Sequence, residues 1–381
     1  MPKKFSPLKI LVLNYEYPPI GGGGGTVCKN LAEELAERGH EVRVQTSWVK
    51  GVPGGLAKKS RTSKLTVTRL FSFRRKMESC TVWEMFLYLF THFIPALKQA
   101  VFWKPDVIHA HFAVPTGVLA FVTSVISRRP YVLTIHLGDV PGALPAQTDH
   151  LFRFLKPFTF PIWKKASRIV AVSDFVKDLA KKAYGVPVET IYNGIRPITR
   201  TRKTGKRFQF ISVGRFNEQK NLDFMFHLLA ELEYRDWNYV LVGDGPLRKH
   251  LETKALKLGI DKQVHFTGWL SRECVHEKLS ESHLLLIPSH TEGLPMVGIE
   301  ALFLGTPILG SEIRGLRDLI DNGKTGYLLP LQDKNLWMEK LSLLISQRQE
   351  LEEMSRKSRI KASQFDITKI AEAYEELFRN L

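Results

Sequence analysis

A chain of 381 residues that is 44% hydrophobic and 24% charged is long enough for two ordinary domains, each with its own core, and too apolar to be dominated by disorder. Its three cysteines, Cys28, Cys80 and Cys274, are odd in number, far apart and without paired ligand spacing, which argues against a disulfide framework and a zinc site and fits a reducing cytosol. The net charge of +17 sits in one part of the chain: 33 Lys and Arg stand against 13 Asp and Glu through Arg207, and 22 against 25 beyond it.

Two lysines precede the first apolar run, but only Ile10 to Leu13 is unbroken. That is too short for the apolar region of a signal peptide and reads as a first buried strand, Lys9 to Asn14. A glycine run, Gly21 to Gly25, follows, then a helix with Val27, Leu31 and Leu35 on one face, then "RGHEVRV" leading into another strand. Strand, helix and strand in this order predict a parallel sheet. No stretch reaches about 18 uninterrupted apolar residues. The nearest, Trp83 to Trp103, is broken by Glu84, His92, Pro95, Lys98 and Gln99, so no spanning helix is expected. Short apolar runs recur at Val107 to Ala110, Val132 to Ile135, Ile169 to Val172 and Glu189 to Tyr192. The polar, basic segment Arg196 to Arg207 has the composition of a linker. Beyond it come strand-like Gln209 to Val213, Tyr239 to Val242, Val264 to Thr267, Leu284 to Pro288 and Pro307 to Leu309. A closing amphipathic helix is expected over Ile367 to Leu381, with Ile370, Ala373, Tyr374, Leu377 and Phe378 at helical spacing. The fold class is therefore α/β: two doubly wound Rossmann-like domains facing a cleft, 1–200 and 201–365, with a closing helix, 366–381, that is expected to pack back on the first.

The glycine run lies between a strand and a helix, where backbone amides and the helix dipole favour an anion; a ligand-free loop would look the same. In "VGRFNEQKN", Arg215 and Lys220 follow a strand at the carboxyl edge where open α/β sheets bind ligands, and two fixed cations there suit a diphosphate, although two solvated surface cations in so basic a chain would look the same. In "PSHTEGLPMVGIEALFLGTP", Glu292 lies in the loop after a strand, Pro295 suits a helix start and Glu300 follows within the helix. Carboxylates accept ribose or sugar hydroxyls, and the amides of Gly293, Leu294 and Met296 could meet phosphate or sugar oxygens. Two acids at a helix start could equally be dipole partners.

"TEGLPMVGIEA", with its glutamates eight residues apart, resembles the paired-glutamate motif of glycosyltransferase family 4, retaining enzymes of GT-B fold. The likeness extends through "YPPIGGGGGT", "DVIHAH", "VLTIHLGD", "YNGI", "VGDGPLR", "FTGWL", "GTPILGSEIRGLRDLI" and "NGKTGYLL", in the family's order and over nearly the whole chain. Arg196 stands where the family often has an acid, and the glycine run is longer than usual. The resemblance implies a nucleotide sugar bound mainly by the C-terminal domain: Glu300 on the ribose, Arg215 and Lys220 on the diphosphate, Glu292 on the transferred sugar. Gly22 and Gly23 would close onto the diphosphate, and His136 would line the reacting sugar, where its ring or carbonyl could stabilise positive charge; a lone histidine at a strand end is otherwise a structural residue. No Asp-any-Asp triplet occurs. No metal and no cofactor beyond the nucleotide diphosphate sugar are expected, leaving protein cations to offset the leaving group.

From Lys50 to Lys76 there are nine Lys or Arg and no acid, followed by the aromatic-rich "TVWEMFLYLFTHFIPALKQAVFWK"; "LFRFLKPFTFPIWKK" repeats the pairing. Basic and aromatic residues together suit an anionic membrane surface, although the aromatics could instead fill the core. Nucleic acid would be drawn by the same field, but no recognition-helix or zinc-finger pattern supports it. The expected function is a hexosyltransferase, cytoplasmic and peripheral at the membrane, acting on a saccharide or lipid-linked acceptor in cell-surface polysaccharide, lipopolysaccharide or glycolipid synthesis. The alternatives are a nucleotide-sugar epimerase of the same fold and a non-enzymatic anion or nucleic-acid binder.

Overall fold

The computed structural model describes residues 6–52, 64–77, 80–142 and 156–381. The chain divides into two compact units, Met1–Arg196 with Ile367–Leu381, and Pro197–Asp366.

The first unit is built on strands β1 (Lys9–Leu13), β2 (Glu41–Trp48), β3 (Leu65–Phe71), β4 (Val107–His111), β5 (Tyr131–Ile135), β6 (Arg168–Ala171) and β7 (Glu189–Thr190), in the order β3-β2-β1-β4-β5-β6-β7. Every pairing is parallel. β4 and β5 are buried along their whole length, which is why they read as short, mostly apolar runs: helices cover both faces of a parallel sheet. β3 was not anticipated. It is an edge strand whose buried Leu65 and Val67 alternate with half-buried Thr66 and Thr68, and Arg69 follows the two buried residues in the same phase, so it lacks the apolar run that marks the interior strands.

The C-terminal helix, Ile367–Arg379, belongs to this unit. Ile367, Ile370, Ala371, Tyr374, Leu377 and Phe378 are buried with Ile10, Val12, Val107 and Val132; Ala371 is deeper than the expected Ala373. Gly194 lets the helix in, since a Cβ there would lie 2.7 Å from Ile370 Cγ1 and 3.1 Å from Ile367 Cα.

The second unit carries β8 (Phe208–Val213), β9 (Trp237–Val242), β10 (Val264–Gly268), β11 (Leu284–Ile287), β12 (Ile308–Ser311) and β13 (Gly326–Leu329), in the order β10-β9-β8-β11-β12-β13 and again parallel. Its core gathers Phe208, Phe210, Phe226, Trp237, Tyr239 and Trp337. The segment expected to be a linker is anchored here. Arg202 is buried, donates to the carbonyls of Ser282 and His283 at 3.3 and 2.9 Å, and pairs with Glu352 at 3.3 Å. A guanidinium has enough donors to satisfy carbonyls just ahead of β11, which its polar sequence context concealed.

Strand order reverses between β1 and β4 in one sheet and between β8 and β11 in the other. Loops diverge at such switch points and leave a crevice at the carboxyl ends of the strands, the usual ligand position in an open α/β sheet.

Candidate functional site

In the second unit the loop after β8 begins at Gly214, with φ at +147°. A Cβ on Gly243, after β9, would fall 1.9 Å from the Gly214 carbonyl oxygen, so the two loops meet backbone to backbone. The Asn217 side chain accepts from the Lys220 amide and winds a short turn that presents Lys220. Its ammonium reaches Glu292 Oε1 at 2.7 Å. The Ser289 hydroxyl donates to the same oxygen at 2.7 Å. Gln219 ties the β8 and β11 loops at two points, donating to the Thr291 carbonyl and accepting from the His290 amide, both at 2.9 Å. A Cβ on Gly315 would lie 1.7 Å from the Glu292 carbonyl oxygen, so only glycine allows that turn to back the loop.

Glu292 is 6% exposed, and its Oε2 takes no hydrogen bond among the described residues. Glu300, 7% exposed on the helix Met296–Leu304, is held in the same manner. Arg272 Nε at 2.9 Å and His276 Nε2 at 3.4 Å both meet its Oε1, leaving Oε2 without a protein partner among the described residues. Arg215 is exposed and has no partner among the described residues. Gly293 and Met296 lead into the same helix, and the Leu294 side chain is buried. Gly214, Arg215, Lys220, Ser289 and Val297 line a cavity of about 20 Å³ between the ends of β8 and β11, room for about one water. The structure thus groups Arg215, Lys220 and Glu292 at the switch point, with Glu300 on the helix that follows. Sequence reasoning missed Ser289, Arg272, His276 and Gly315, which looked like ordinary surface or loop residues.

In the first unit the glycine run is a built loop. Gly21 has φ of +90° and its amide donates to the Met77 carbonyl. The Gly22 amide donates to Glu16 Oε2 at 3.2 Å, so one N–H expected to meet phosphate is capped by the protein's own carboxylate. Gly23 opens the helix Gly23–Glu37. Arg74 is buried and donates to the carbonyls of Tyr15, Lys76 and Met77; Arg69 donates to Tyr17 and Pro18. These two members of the basic stretch strap the loop rather than face solvent. Lys58, Lys59 and Arg61 lie outside the described residues.

His136 ends β5 and is buried. Its ring lies 4.4 Å from the Phe112 ring, and its Nε2 is 3.4 Å from His111 Nδ1. Phe112 takes φ of +73°, rare for a bulky residue, and a Cβ on Gly24 would strike its ring at 2.4 Å. The Asp139 carboxylate accepts from the His136 and Ala113 amides at 2.7 Å each, and the Asp139 amide donates back to the His136 carbonyl and ring. Burial lowers His136 to about 4, so its imidazole is neutral at pH 7. Burial likewise raises Asp139 to about 7, opposed by the amides it accepts from. The one acceptor nitrogen of the neutral ring is taken by the Asp139 amide, so the His136 carbonyl, which keeps a lone pair, is the group that can face a developing positive charge.

The aromatic segment forms a helix, Val82–Lys98, capped by Thr81 and Glu84 and continued through Trp103. Tyr88, His92 and Ala96 bury one face, while Trp83, Phe86, Phe90 and Ile94 expose the other, with Trp83 77% and Phe90 66% exposed. The aromatics therefore do not all fill the core. By length and composition Val82–Trp103 could also cross a membrane. It is instead tied to β2 by Gln45, which donates to the His92 carbonyl and accepts from Gln99, and by Trp103, which donates to Glu41. Of the second cluster, Leu151 to Leu155 lie outside the described residues, and Phe158 is exposed.

The sequence pattern described as Glycosyltransferase Family 4 matches residues 21–197, and that described as Glycosyl transferases group 1 matches residues 198–361. The chain is 26% identical over 380 residues to N-acetyl-alpha-D-glucosaminyl L-malate synthase of Bacillus anthracis, covering 95% of this chain and 94% of that protein. It is 27% identical over 344 residues to an uncharacterized glycosyltransferase of Methanocaldococcus jannaschii, covering 84% of each. Sucrose-phosphate synthase from Thermosynechococcus elongatus superposes with a TM-score of 0.81 at 18% identity, covering 97% of this chain and 98% of that one. Anabaena HepE, solved with UDP-glucose, gives 0.76 at 17% identity, with coverage of 98% and 100%. At these identities the structural likeness is one of fold.

Proposed function

The chain belongs to the GT-B glycosyltransferases of family 4, and on that premise we propose that it is a retaining, metal-independent hexosyltransferase using a nucleoside diphosphate sugar. The observation that carries the reading is the pair of buried glutamates, each held by one oxygen and presenting the other, beside Arg215, which has no partner among the described residues. A buried, singly held carboxylate oxygen is a strong acceptor for a hydroxyl. We assign Glu292 Oε2 to a hydroxyl of the transferred sugar and Glu300 Oε2 to the ribose. Arg215 and Lys220 take the diphosphate charge with the Gly293 and Met296 amides. His136, neutral, is assigned to the reacting sugar.

In the reaction the bond from the anomeric carbon to the diphosphate oxygen breaks, and the acceptor hydroxyl oxygen bonds to the same face. Its proton passes to the leaving phosphate oxygen. Charge on the departing diphosphate is met by protein cations, with no step assigned to a metal. The acceptor is a saccharide or a lipid-linked saccharide in cell-surface polymer or glycolipid synthesis. The enzyme is placed in the cytoplasm, peripheral on an anionic membrane through the exposed face of Val82–Trp103; that aromatic face and the basic first unit support this placement.

The test is thermal-shift screening against UDP, GDP and ADP sugars with EDTA present, followed by the anomeric configuration of the product by NMR. The UDP series comes first because HepE was solved with UDP-glucose. One series raises the melting temperature, Glu300→Ala removes that shift, and the product keeps the donor's configuration. Inversion or a divalent-cation requirement would overturn the mechanism; no response to any series would overturn the donor site.

A further inference from the structure

Arg272 and His276 lie one turn apart on the helix Arg272–Glu281, which is capped by Ser271. Both direct a nitrogen at the same oxygen of Glu300, Oε1, at 2.9 and 3.4 Å. A structural Arg–carboxylate pair commonly uses both oxygens in a fork. Here the contact is through Nε alone, the carboxylate is 7% exposed, and Oε2 has no partner among the described residues. The Arg272 hydrogen bond to one oxygen, with the His276 ring packed beside it, fixes the rotation of the carboxylate and aims the other oxygen in a single direction.

We infer that Arg272, assisted by His276, is a positioning residue that orients Glu300 to read the ribose 2′-hydroxyl and so makes the site selective for ribonucleotides. This rests on the assignment of Glu300 to the ribose. Arg272 also has an electrostatic part. Glu300 beside a diphosphate would repel it, and the guanidinium neutralises that charge while Oε2 stays open to a neutral hydroxyl donor. Orientation and neutralisation are separable: a lysine keeps the charge but not the Nε position.

The experiment is calorimetric titration of the full chain with UDP and 2′-deoxy-UDP, with the GDP and ADP pairs in parallel. Wild type favours the ribonucleotide of its preferred base by about tenfold or more, the worth of one hydrogen bond to a carboxylate. Arg272→Met brings that ratio towards unity, and Arg272→Lys restores overall affinity without restoring the ratio. Equal weakening of both nucleotides in Arg272→Met, with the ratio kept, would overturn the positioning role. Should Arg272→Met not fold, His276→Gln replaces it and is expected to lower the ratio by a smaller factor; an unchanged ratio there would overturn the inference. Glu300→Gln separates the two readings: if it leaves the ratio intact, the ribose assignment itself fails. If it abolishes the ratio and Arg272→Met does not, only the inference fails.

Discussion

Lys220 stands 2.7 Å from Glu292 in a pocket where the glutamate is 6% exposed. From sequence alone the two residues have separate ligands, so replacing Lys220 should weaken donor binding and replacing Glu292 should lower turnover. The pair changes that expectation. Without the ammonium, Glu292 keeps only the Ser289 hydroxyl, and a buried carboxylate without its counter-charge is costly enough to turn or reorganise. Lys220→Ala is therefore expected to lower both donor affinity and turnover. A cycle of Lys220→Ala, Glu292→Gln and the double variant, followed by kcat and kcat/KM, should show coupling of about 1–3 kcal/mol. Strict additivity would mean that the pair is incidental to catalysis. The two glutamates stood out as candidates because a proline-started helix after a strand is a recognisable frame, and the two cations because they follow a strand at the carboxyl edge of the sheet. The partners did not: Arg272 and His276 are brought to Glu300 by helix packing, which local sequence does not encode, and Ser289, three residues before Glu292, carries no pattern of its own.

Among the elements, the helix Val82–Lys98 departs most from what an isolated soluble domain needs. Its buried face, Tyr88, His92 and Ala96, is enough to seat it, while Trp83, Phe86, Phe90 and Ile94 form a stripe facing solvent. Removing two of these aromatics should leave the melting temperature nearly unchanged, since they are already exposed. The same change should weaken binding to anionic vesicles. Each aromatic that enters the interface contributes about 1–2 kcal/mol, so Trp83→Ser with Phe90→Ser should lower partitioning to phosphatidylserine vesicles by about tenfold or more in sedimentation. Added salt should weaken the wild type further by screening the lysines. Equal partitioning of the variant would remove the membrane role from this helix. The helix itself was legible from its composition, but which residues it hides was not, because an all-round apolar segment gives no phase to its buried side. β3 was missed for the opposite reason: its alternation is real, but charge obscures it. Interior strands with mostly apolar runs, such as β5 and β11, were legible nearly to the residue.

Across the molecule the charge imbalance was visible in the sequence, but the burial of histidine was not, since a lone histidine carries no pattern. In the first unit burial lowers His92 and His136 to about 4 and His109 to about 3; His111 is well below its ordinary value and His40 is lowered too. In the second unit, desolvation with Arg348 and Arg202 nearby lowers His283 to about 3. An imidazole depressed in the folded state binds fewer protons there than in the unfolded chain. Its contribution is present above the ordinary value of about 6.5 and is lost as pH falls through the window down to the folded value. Asp139 acts in the opposite sense. Raised to about 7, it contributes fully below the ordinary carboxylate range, and that contribution is lost as pH rises through 7; one such group does not offset several imidazoles in the same unit. Between pH 7.5 and 5.0 the first unit should therefore lose more stability than the second, by about 2 kcal/mol for each excess imidazole. Keeping the lower limit at pH 5.0 avoids most carboxylate titration. Hydrogen exchange, with rates normalised to the intrinsic exchange at each pH, should show protection falling faster in β4 and β5 than in β8 and β11. An equal loss in both sheets would mean that the buried imidazoles find protonated states the fold accommodates, and the cluster around His136 would then have to be treated as a charged site.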